Sequence, residues 1–338
     1  MPTSPHIVLA DNSVRAVMFK VLAALVPGVV VHAWMFGPAI WVSLLLTTLF
    51  CLVIEALVLA MRDRPLKPFL SDGSVLVTAW LLALSLPTLL PWWLYALGSL
   101  FAVLVAKHLY GGLGQNVFNP AMVGYAVLIV SFPAHMNLWP APVGVAGHTP
   151  NLMEALDLVF AGQGAVSPDA YTAATPMDQL RAQVRTGLSA EAVAAASFGL
   201  HAKEALVLSY ALGGLLLLAH RVITWHVPVA FLGALVATAT LLHLIDPGRH
   251  ADPLFHLLTG STVLGAFFIL TDPVSASTTP LGKLIYAGLA GVITVLIRSF
   301  GAYPDGVAFA VLLMNAAVPF IDAYTQPRVF GHSRGRRT

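Results

Sequence analysis

The most specific string in this sequence ends near Thr175, whose hydroxyl a modifying enzyme could reach. Thr175 ends the string Asp169-Ala170-Tyr171-Thr172-Ala173-Ala174-Thr175, and Pro176 follows. A proline pushes the residue before it toward an extended backbone, which suits the β-branched threonine. The small side chains of Ala173 and Ala174 leave the hydroxyl open to a modifying enzyme. By composition alone, the same string is more simply a turn rich in alanine, threonine and proline.

A second stretch combines glycines with amide side chains, a composition that suits a flat ligand. The residues are Gly111, Gly112, Gly114, Gln115, Asn116 and Asn119. Glycines permit turns and a close approach of the backbone, and amides supply donors and acceptors for the polar edge of such a ligand. The glycines lack the preceding strand of a dinucleotide-binding fingerprint, so a turn at the start of a helix is an equal alternative.

Two carboxylates, Glu55 and Asp322, lie within or at the end of apolar segments. An unpaired charge deep in a membrane costs about 3 kcal/mol or more, so Glu55 should be protonated or have a partner inside the protein. A carboxylate in that setting is a candidate for an ion pathway, and Asp322 is a second candidate. The alternative for Glu55 is a side chain that reaches the water interface from near the end of its helix.

The elements that position these groups must be membrane helices. Of the 338 residues, 58% are hydrophobic and 9% are charged, whereas soluble domains carry about 25% charged residues. Apolar runs near the length of a membrane span predict an all-α integral membrane protein with about ten spans. The predicted spans are 14–36, 39–61, 73–87, 90–108, 117–133, 203–221, 226–245, 255–271, 282–299 and 305–324.

Basic residues predict how these spans are oriented. Arg62, Arg64 and Lys67 follow the second span, and arginines recur in the tail 325–338. The positive-inside rule then predicts that both termini lie on the cytoplasmic side of a bacterial inner membrane. It places Lys107, Arg221 and Lys283 on the same side. The polar loop 134–202 falls on the periplasmic face. A basic tail beside a membrane helix is an orientation signal and not a nucleic-acid site.

The single cysteine and the first apolar run exclude further classes of protein. Cys51 alone cannot form an internal disulfide, and this chain by itself supplies no thiolate set for a metal or an iron–sulfur cluster, so no metal site is expected. The first apolar run is too long for a secretory signal and is expected to stay as a helix.

The order of the spans divides the chain into four predicted regions. Residues 1–133 form an N-terminal five-helix half, 134–202 the external loop, 203–324 a C-terminal five-helix half, and 325–338 a cytoplasmic tail. Because each half has an odd number of spans, two copies of one unit would face opposite ways, as in the inverted repeats of transporters.

An echo between the halves supports such a repeat. The pairs Gly73-Ser74 and Gly260-Ser261 stand in similar strings, with the glycines 187 residues apart (260 minus 73). A fainter echo relates 118–124 to 303–309. The third and eighth spans are short and start near these glycines, so broken helices at the repeat interface are expected. Chance similarity between apolar helices is the alternative.

The string that ends at Thr175 resembles the flavinylation motif Asp-x-x-(Ser/Thr)-(Gly/Ala)-Ala-Thr. This motif is shared by the D subunit of the Rnf complex and the B subunit of the related sodium-pumping NADH:quinone oxidoreductase. Ala170, Thr172 and Ala173 stand where those families commonly have Gly, Ser and Gly. Further stretches similar to the same families are Lys107–Gly124, Thr271–Ser277, Arg298–Pro304 and Asn315–Asp322.

The resemblance implies a specific set of cofactors and residues. Thr175 would carry FMN through a phosphoester bond, attached by a flavin transferase, and Asp169, Thr172, Ala173 and Ala174 would complete the motif. A second flavin, riboflavin, would bind without a covalent bond between the halves. Its expected contacts are Gly111, Gly112, Gln115, Asn116, Asn119 and Asp272. An acidic residue at the position of Glu55 is implicated in ion uptake in these families.

The resemblance also implies the activity. The Rnf complex couples electron flow between ferredoxin and NAD to the movement of Na⁺ or H⁺, and its other membrane and peripheral subunits carry iron–sulfur and flavin centres. The alternatives are a B-type subunit of the sodium-pumping quinone reductase and a non-redox transporter with inverted repeats. The 13 residues before the first span favour the Rnf type, because the B subunit usually has a longer N-terminal stretch.

Overall fold

A computed structural model describes residues 13–145, 147–162, 170–198, 201–301, 303 and 305–327. Within these ranges the chain is helical, and a single isolated bridge between Pro140 and Thr172 is the one β contact recorded. The helices before the loop are α1 Val14–Phe36, α2 Ala39–Met61, α3 Leu66–Leu70, α4 Ser74–Ser85, α5 Trp92–Leu100 and α6 Pro120–Ser131. A π-helical segment, Phe101–His108, continues α5 directly.

The remaining helices cover the loop and the C-terminal part of the chain. Those of the loop are α7 Pro133–Met136, α8 Leu152–Ala161, α9 Pro176–Arg185 and α10 Ala190–Phe198. Those that follow are α11 His201–Ala219, α12 His226–Ile245, α13 Pro253–Leu258, α14 Thr262–Leu264, α15 Pro280–Phe300 and α16 Val307–Thr325. A second π-helical segment, Gly265–Ile269, continues α14.

Five helices of the described chain, α1, α2, α12, α15 and α16, are long and apolar enough to cross a membrane. Their outward faces are apolar as well, since Leu45 in α2 is 69% exposed and Leu244 in α12 is 75% exposed. A helix that is hydrophobic on every face is suited to lipid. The predicted class, an all-α membrane protein, is therefore confirmed. Shorter apolar helices occupy four of the other predicted spans, at α4, at α5 with its π-helical continuation, at α6 and at α11.

The predicted eighth span is a broken helix. Between α13 and α14 the chain turns at Gly260, whose φ of +66° is a left-handed conformation that glycine adopts without strain. A Cβ atom there would lie 2.5 Å from the guanidinium of Arg298, so a larger residue would also clash. The third predicted span begins in the same way, because Gly73 with φ +83° precedes the short helix α4.

Helices from the N-terminal and C-terminal parts of the chain pack against one another. Helix α1 packs along α11 and α6 packs on α16, while within the C-terminal part α12 packs along α15. A Cβ atom at Gly213 in α11 would lie 2.0 Å from the carbonyl oxygen of Ala24 in α1, so glycine permits this close approach. The largest apolar cluster contains Leu25, Leu128, Phe231 and Val311, which makes one continuous core.

Candidate functional site

Thr175 is the N-cap residue of α9. Its backbone is extended, with φ −63° and ψ 159°, as the following proline predicts. The hydroxyl oxygen accepts a hydrogen bond from the backbone N–H of Asp178 at 3.2 Å. The hydroxyl also donates to the Asp178 carboxylate, with 2.6 Å between the oxygens. Thr175 is half-buried, so its hydroxyl is fixed by the first turn of the helix and remains partly accessible.

The residues before Thr175 are held by an antiparallel contact within the loop. The N–H of Ala141 donates to the carbonyl of Tyr171, and the N–H of Ala173 donates to the carbonyl of Trp139, both at 3.0 Å. Burial raises the pKa of the Tyr171 hydroxyl, whose ring anchors this segment. Asp169 of the predicted motif lies outside the described residues.

Thr175 borders a cavity of about 250 Å³. This volume approaches the lower end of small-molecule sites, which span about 300–1,000 Å³. The walls come from α1, α4, α6, α11, the broken segment around Gly260 and α16, where the N-terminal helices meet the C-terminal ones. Ala173 and Ala174 also line it. Apolar side chains form most of the wall, among them Met122, Tyr210 and Leu264.

His32 is an unusual polar member of that wall. It lies on α1 and is 9% exposed. Its Nδ1 atom has no hydrogen-bond partner among the described residues. Buried polar atoms are nearly always satisfied, so an orphaned ring nitrogen beside a cavity indicates a place for a ligand with a polar edge. Nothing in the sequence singled out His32, because a histidine in an apolar helix belongs to no motif.

A buried ion pair closes one side of the cavity. We call Ser261, Arg298 and Asp305 the Asp305 cluster. Arg298 holds one carboxylate oxygen of Asp305 from Nε at 3.1 Å and from Nη2 at 2.9 Å. Ser261 donates to the other oxygen from its N–H at 2.7 Å and from its hydroxyl at 2.5 Å. Both oxygens are therefore satisfied.

The loop is tied to this cluster through α9. Arg181, one turn after Asp178, donates to the carbonyl oxygen of Tyr303 at 2.6 Å and to that of Arg298 at 3.4 Å. Burial lowers the pKa of Arg181 from its usual 12.5, and the nearby carboxylate of Asp178 acts in the opposite direction. Helix α9, which Thr175 caps, is thus held against the C-terminal helices at the wall of the cavity.

A second set of buried charges surrounds Glu55. We call Glu55, Ser74, Lys107 and His108 the Glu55 cluster. Glu55 is 1% exposed, and its Oε1 lies 2.8 Å from the ammonium of Lys107, which also donates to Ser74 Oγ at 3.3 Å. His108 Nε2 lies 3.0 Å from Glu55 Oε2, but the two atoms are not aligned for a hydrogen bond.

Glu55 therefore has a cationic partner inside the protein, and the alternative of a side chain at the water interface is wrong. The Lys107 side chain is 4% exposed, so it serves as the internal partner of Glu55 and not as a charge on the loop surface. Its place on the cytoplasmic side of the membrane stays a prediction.

The residues predicted for a second flavin fall into two groups. Gly111 and Gln115 are exposed in the turn before α6, whereas Gly112 and Asn116 are buried there, and none of the four lines the Thr175 cavity. Asn116 donates from its side chain to the carbonyl of Phe118 at 3.1 Å. The turn itself is thus confirmed as a local structure, while a flavin contact there stays a prediction.

Asn119 belongs to a buried amide network that also reaches the segment of Asp272. The Asn119 side chain donates to the carbonyl of Ile269 at 3.2 Å, and its N–H donates to Asn315 Oδ1 at 2.9 Å. Asn315 in turn donates to the carbonyl of Ser275 at 3.0 Å, and the Ser275 hydroxyl donates to Asp272 at 2.9 Å. No pattern in the sequence indicated that Asn315 links these two segments.

Asp322 closes a turn at the end of the bundle that holds the Glu55 cluster. Its carboxylate accepts hydrogen bonds from the N–H of Thr278 at 3.1 Å and from the Thr278 hydroxyl at 2.8 Å, and it also accepts from the hydroxyl of Ser277. Among the described residues, no group of three or more His, Cys, Asp or Glu side chains could hold a metal ion. Cys51 is buried and free.

Comparison with known proteins assigns the chain to a family. The family model described as "NQR2, RnfD, RnfE family" matches residues 1–331. The chain belongs to this family. A protein of Escherichia fergusonii, named as the D subunit of an ion-translocating oxidoreductase complex, is 48% identical over 333 residues, covering 94% of this chain and 95% of that protein. Proteins with the same name from Aeromonas hydrophila and Escherichia coli strain SE11 are 47% and 48% identical, each covering 95% of the relative.

Proposed function

We propose that this chain is the flavin-carrying membrane subunit of an Rnf-type ion-translocating oxidoreductase. It would pass electrons between redox centres in ferredoxin:NAD oxidoreduction, coupled to the movement of Na⁺ or H⁺. The relatives named as D subunits of such a complex support the assignment to it, and their full-length coverage supports the same place within it. The observation that carries the flavin role is the Thr175 hydroxyl, fixed at the start of a helix and at the edge of a cavity.

The position of Thr175 suits an FMN phosphate. A phosphate esterified to an N-cap hydroxyl lies at the positive end of the helix dipole, where anions are stabilised. Helix α9 starts with Pro176, so its first turn is formed without a lost N–H donor. The linkage would therefore hold the phosphate at α9 while the rest of the cofactor reaches into the neighbouring cavity.

The cavity suits the flavin ring. Its walls are mostly apolar, and His32 offers an unsatisfied nitrogen that could bind a polar atom of the ring edge. A bound flavin supplies one- and two-electron transfer, and the protein supplies binding, orientation and electrostatics. In this chain, Thr175 would tether the cofactor, His32 would orient it, and Tyr210 and Leu264 would cover its faces.

The packing supports two inverted five-helix units, 1–133 and 203–324, in a ten-span protein. Helix α1 packs on α11 and α6 packs on α16, so the first helices of the two units meet each other and the last helices meet each other, as a two-fold axis between the units would allow. The Gly73-Ser74 and Gly260-Ser261 turns introduce short or broken helices in equivalent places. A riboflavin between the units, near the buried amides of Asn119 and Asn315, would complete the electron path.

The proposed orientation puts the Glu55 cluster on the cytoplasmic side of the inner membrane. Exposed Arg62, Arg64 and Lys67 lie beside it, as the positive-inside rule requires. The loop 134–202 with Thr175 would then face the periplasm, where a flavin transferase can reach it. The basic tail that should stay inside is outside the described residues from Arg328 onward. Other subunits with iron–sulfur and flavin centres would be obligatory partners in the bilayer.

Denaturing gel electrophoresis tests the flavin role directly. The chain, produced together with a flavin transferase, should fluoresce as a flavin after denaturation, and mass spectrometry should find FMN on the Thr175 peptide. Thr175→Val should abolish the signal, whereas Thr186→Val, an exposed threonine at the other end of α9, should keep it. If the protein is instead a non-redox transporter, neither the unaltered chain nor Thr186→Val would carry covalent flavin. That result would overturn the proposal.

A further inference from the structure

We propose that Asp178 is a catalytic residue for the attachment of the flavin, accepting the hydroxyl proton of Thr175 as the phosphoester forms. The proposal rests on the proposed function, in which Thr175 carries FMN. It adds that the acceptor protein itself supplies the base for its own modification.

The hydrogen bond between the two side chains is short and has a defined direction. The Thr175 hydroxyl donates to Oδ2 of Asp178 at 2.6 Å, within the range of about 2.5–2.7 Å for a hydroxyl bound to a carboxylate. The N–H of Asp178 donates back to the same hydroxyl oxygen at 3.2 Å. The proton thus points at the carboxylate, and the oxygen keeps a lone pair for a bond to phosphorus.

Helix α8 in the same loop shows that this arrangement is not the usual helix start. Asn151 caps α8, and the carboxylate of Glu154 accepts from the backbone N–H of Asn151 at 2.9 Å. That is the reciprocal capping box, in which the third helical residue binds the backbone of the cap. In α9 the equivalent carboxylate, Asp178, binds the hydroxyl of the cap residue instead.

The chemistry needs a base at this position. The donor would be a flavin dinucleotide, whose pyrophosphate contains the phosphorus bound to the flavin ribityl chain. The Thr175 oxygen forms a bond to that phosphorus, the bridging P–O bond breaks, and a nucleoside monophosphate leaves with the bridging oxygen. The hydroxyl proton passes to Asp178, and no electrons are exchanged. Protein kinases use an aspartate in this way to accept the proton of a substrate hydroxyl.

The protein fixes both groups before any transferase binds. Pro176 sets the backbone of the first helical residue, and Arg181 fastens the next turn to the carbonyl of Tyr303. The transferase would then receive a hydroxyl that already has its proton acceptor. After attachment the hydroxyl proton is gone, so Asp178 should govern how fast the linkage forms and not how long it persists.

The test follows attachment over time in the full-length chain, purified in detergent and mixed with a flavin transferase and flavin adenine dinucleotide. Asp178→Asn keeps the shape and an oxygen that can accept the hydroxyl, but it cannot take up the proton. We expect its rate of covalent flavin incorporation to fall at least tenfold, since general bases contribute about 10²–10⁴. Asp178→Glu should recover part of the rate. Asp157→Asn, an exposed carboxylate on α8, is the matched control and should react at the wild-type rate.

The pH profile separates a base from a packing role. The Asp178→Asn rate should climb with pH as hydroxide replaces the carboxylate, and flavin once attached should be retained as in the wild type. Equal rates for Asp178→Asn and the wild type, or an equal loss in Asp178→Asn and Asp178→Glu, would overturn the proposal. A Thr175→Val chain that still incorporates flavin would instead show that the attachment point itself is misassigned.

Discussion

The Glu55 cluster and the Asp305 cluster are built from similar parts. Each joins a buried carboxylate to a cation near the end of a long helix, Lys107 or Arg298, beside a glycine–serine turn that starts a short helix. They lie far apart along the bundle. Glu55 lies sixteen residues after the start of α2, which is about 24 Å along the helix axis at 1.5 Å per residue. Asp305, in contrast, lines the cavity next to the start of α2.

The two clusters differ in how completely their atoms are paired. Arg298 grips Asp305 with two nitrogens, and Ser261 occupies the second oxygen twice. In the Glu55 cluster, Oε2 of Glu55 and both ring nitrogens of His108 lack an aligned hydrogen-bond partner among the described residues. A fully paired buried charge is a fixed structural element, whereas a partly paired one can exchange a partner at lower cost. We therefore expect the Asp305 cluster to serve stability, and the proposal that the Glu55 cluster serves ion coupling is the one to test.

Removing Arg298 should have the largest effect on the protein. Arg298→Ala leaves Asp305, which is 20% exposed, without its cation, and since breaking a fully buried pair costs about 3–5 kcal/mol, that range is the upper limit here. We expect a marked drop in the thermal unfolding temperature of the purified chain in detergent. Arg249→Ala is the control, because this arginine side chain is 80% exposed and pairs within one turn of the chain, so its effect should stay within about 0.5 kcal/mol. Similar unfolding temperatures for the two variants would remove the distinction between the clusters.

Neutralising Glu55 should impair transport, and because it leaves Lys107 buried without its anion it should also lower the stability of the chain. Glu55→Gln keeps an oxygen for Lys107 but removes the charge that pairs with it. In sealed vesicles with the assembled complex, flavin content should be retained while the ion gradient formed per electron falls or turnover slows several-fold. Asp322→Asn is the comparison at the same end of the bundle, because that carboxylate closes a turn and is only half-buried. Wild-type pumping and salt dependence in Glu55→Gln would assign Glu55 to structure alone.

Replacing His32 should change the midpoint potential of a flavin bound in the cavity by a modest amount. His32→Leu removes the orphaned nitrogen while keeping an apolar side chain of similar bulk. One lost hydrogen bond is worth about 0.5–1.5 kcal/mol, which corresponds to about 10–30 mV for a two-electron couple. Covalent flavin on Thr175 should be unchanged, and the midpoint potential measured by redox titration should move. Ser85→Ala, at another polar position of the wall, is the control, and equal potentials in wild type and His32→Leu would place the ring away from α1.

Acidification should have the smallest effect, a loosening of α8. The backbone N–H of Asn151, and then the side chain of His148, lower the pKa of Glu154 below its usual 4.5. A lowered carboxyl pKa stabilises the folded loop above the pKa of the unfolded chain, and this contribution disappears as pH falls through the folded value. The protection of α8 amides against hydrogen exchange, taken relative to the intrinsic exchange rate at each pH, should therefore fall below about pH 4.5 in the wild type. Glu154→Gln should already exchange faster at neutral pH and show little further change in acid.

The sequence predicted the long elements well and the partners of side chains poorly. Helices α1, α2 and α12 match their predicted spans to the residue, because Gly37, Pro38 and polar turns interrupt the apolar runs sharply. The break at Gly260 was also expected from the echo of Gly73. Apolar composition does not tell which face of a helix a residue occupies, so neither the pair of Glu55 with Lys107 nor the hydroxyl contact of Asp178 could be found before the fold was known.

The π-helical segment Phe101–His108 places a length constraint on α5. Its hydrogen bonds run from a residue to the fifth one before it, as from the N–H of Leu109 to the carbonyl of Leu104 at 2.9 Å. This wider turn holds one more residue than an ordinary α-helical turn, as if a single residue had been inserted into the helix. Deleting one residue of the segment, such as Val103, would return it to ordinary α-helical hydrogen bonding, whereas adding one more residue there would rotate Lys107 and His108 by about 100° relative to Glu55. The charge pair therefore depends on how many residues precede it, and an insertion could separate the partners without altering either of them.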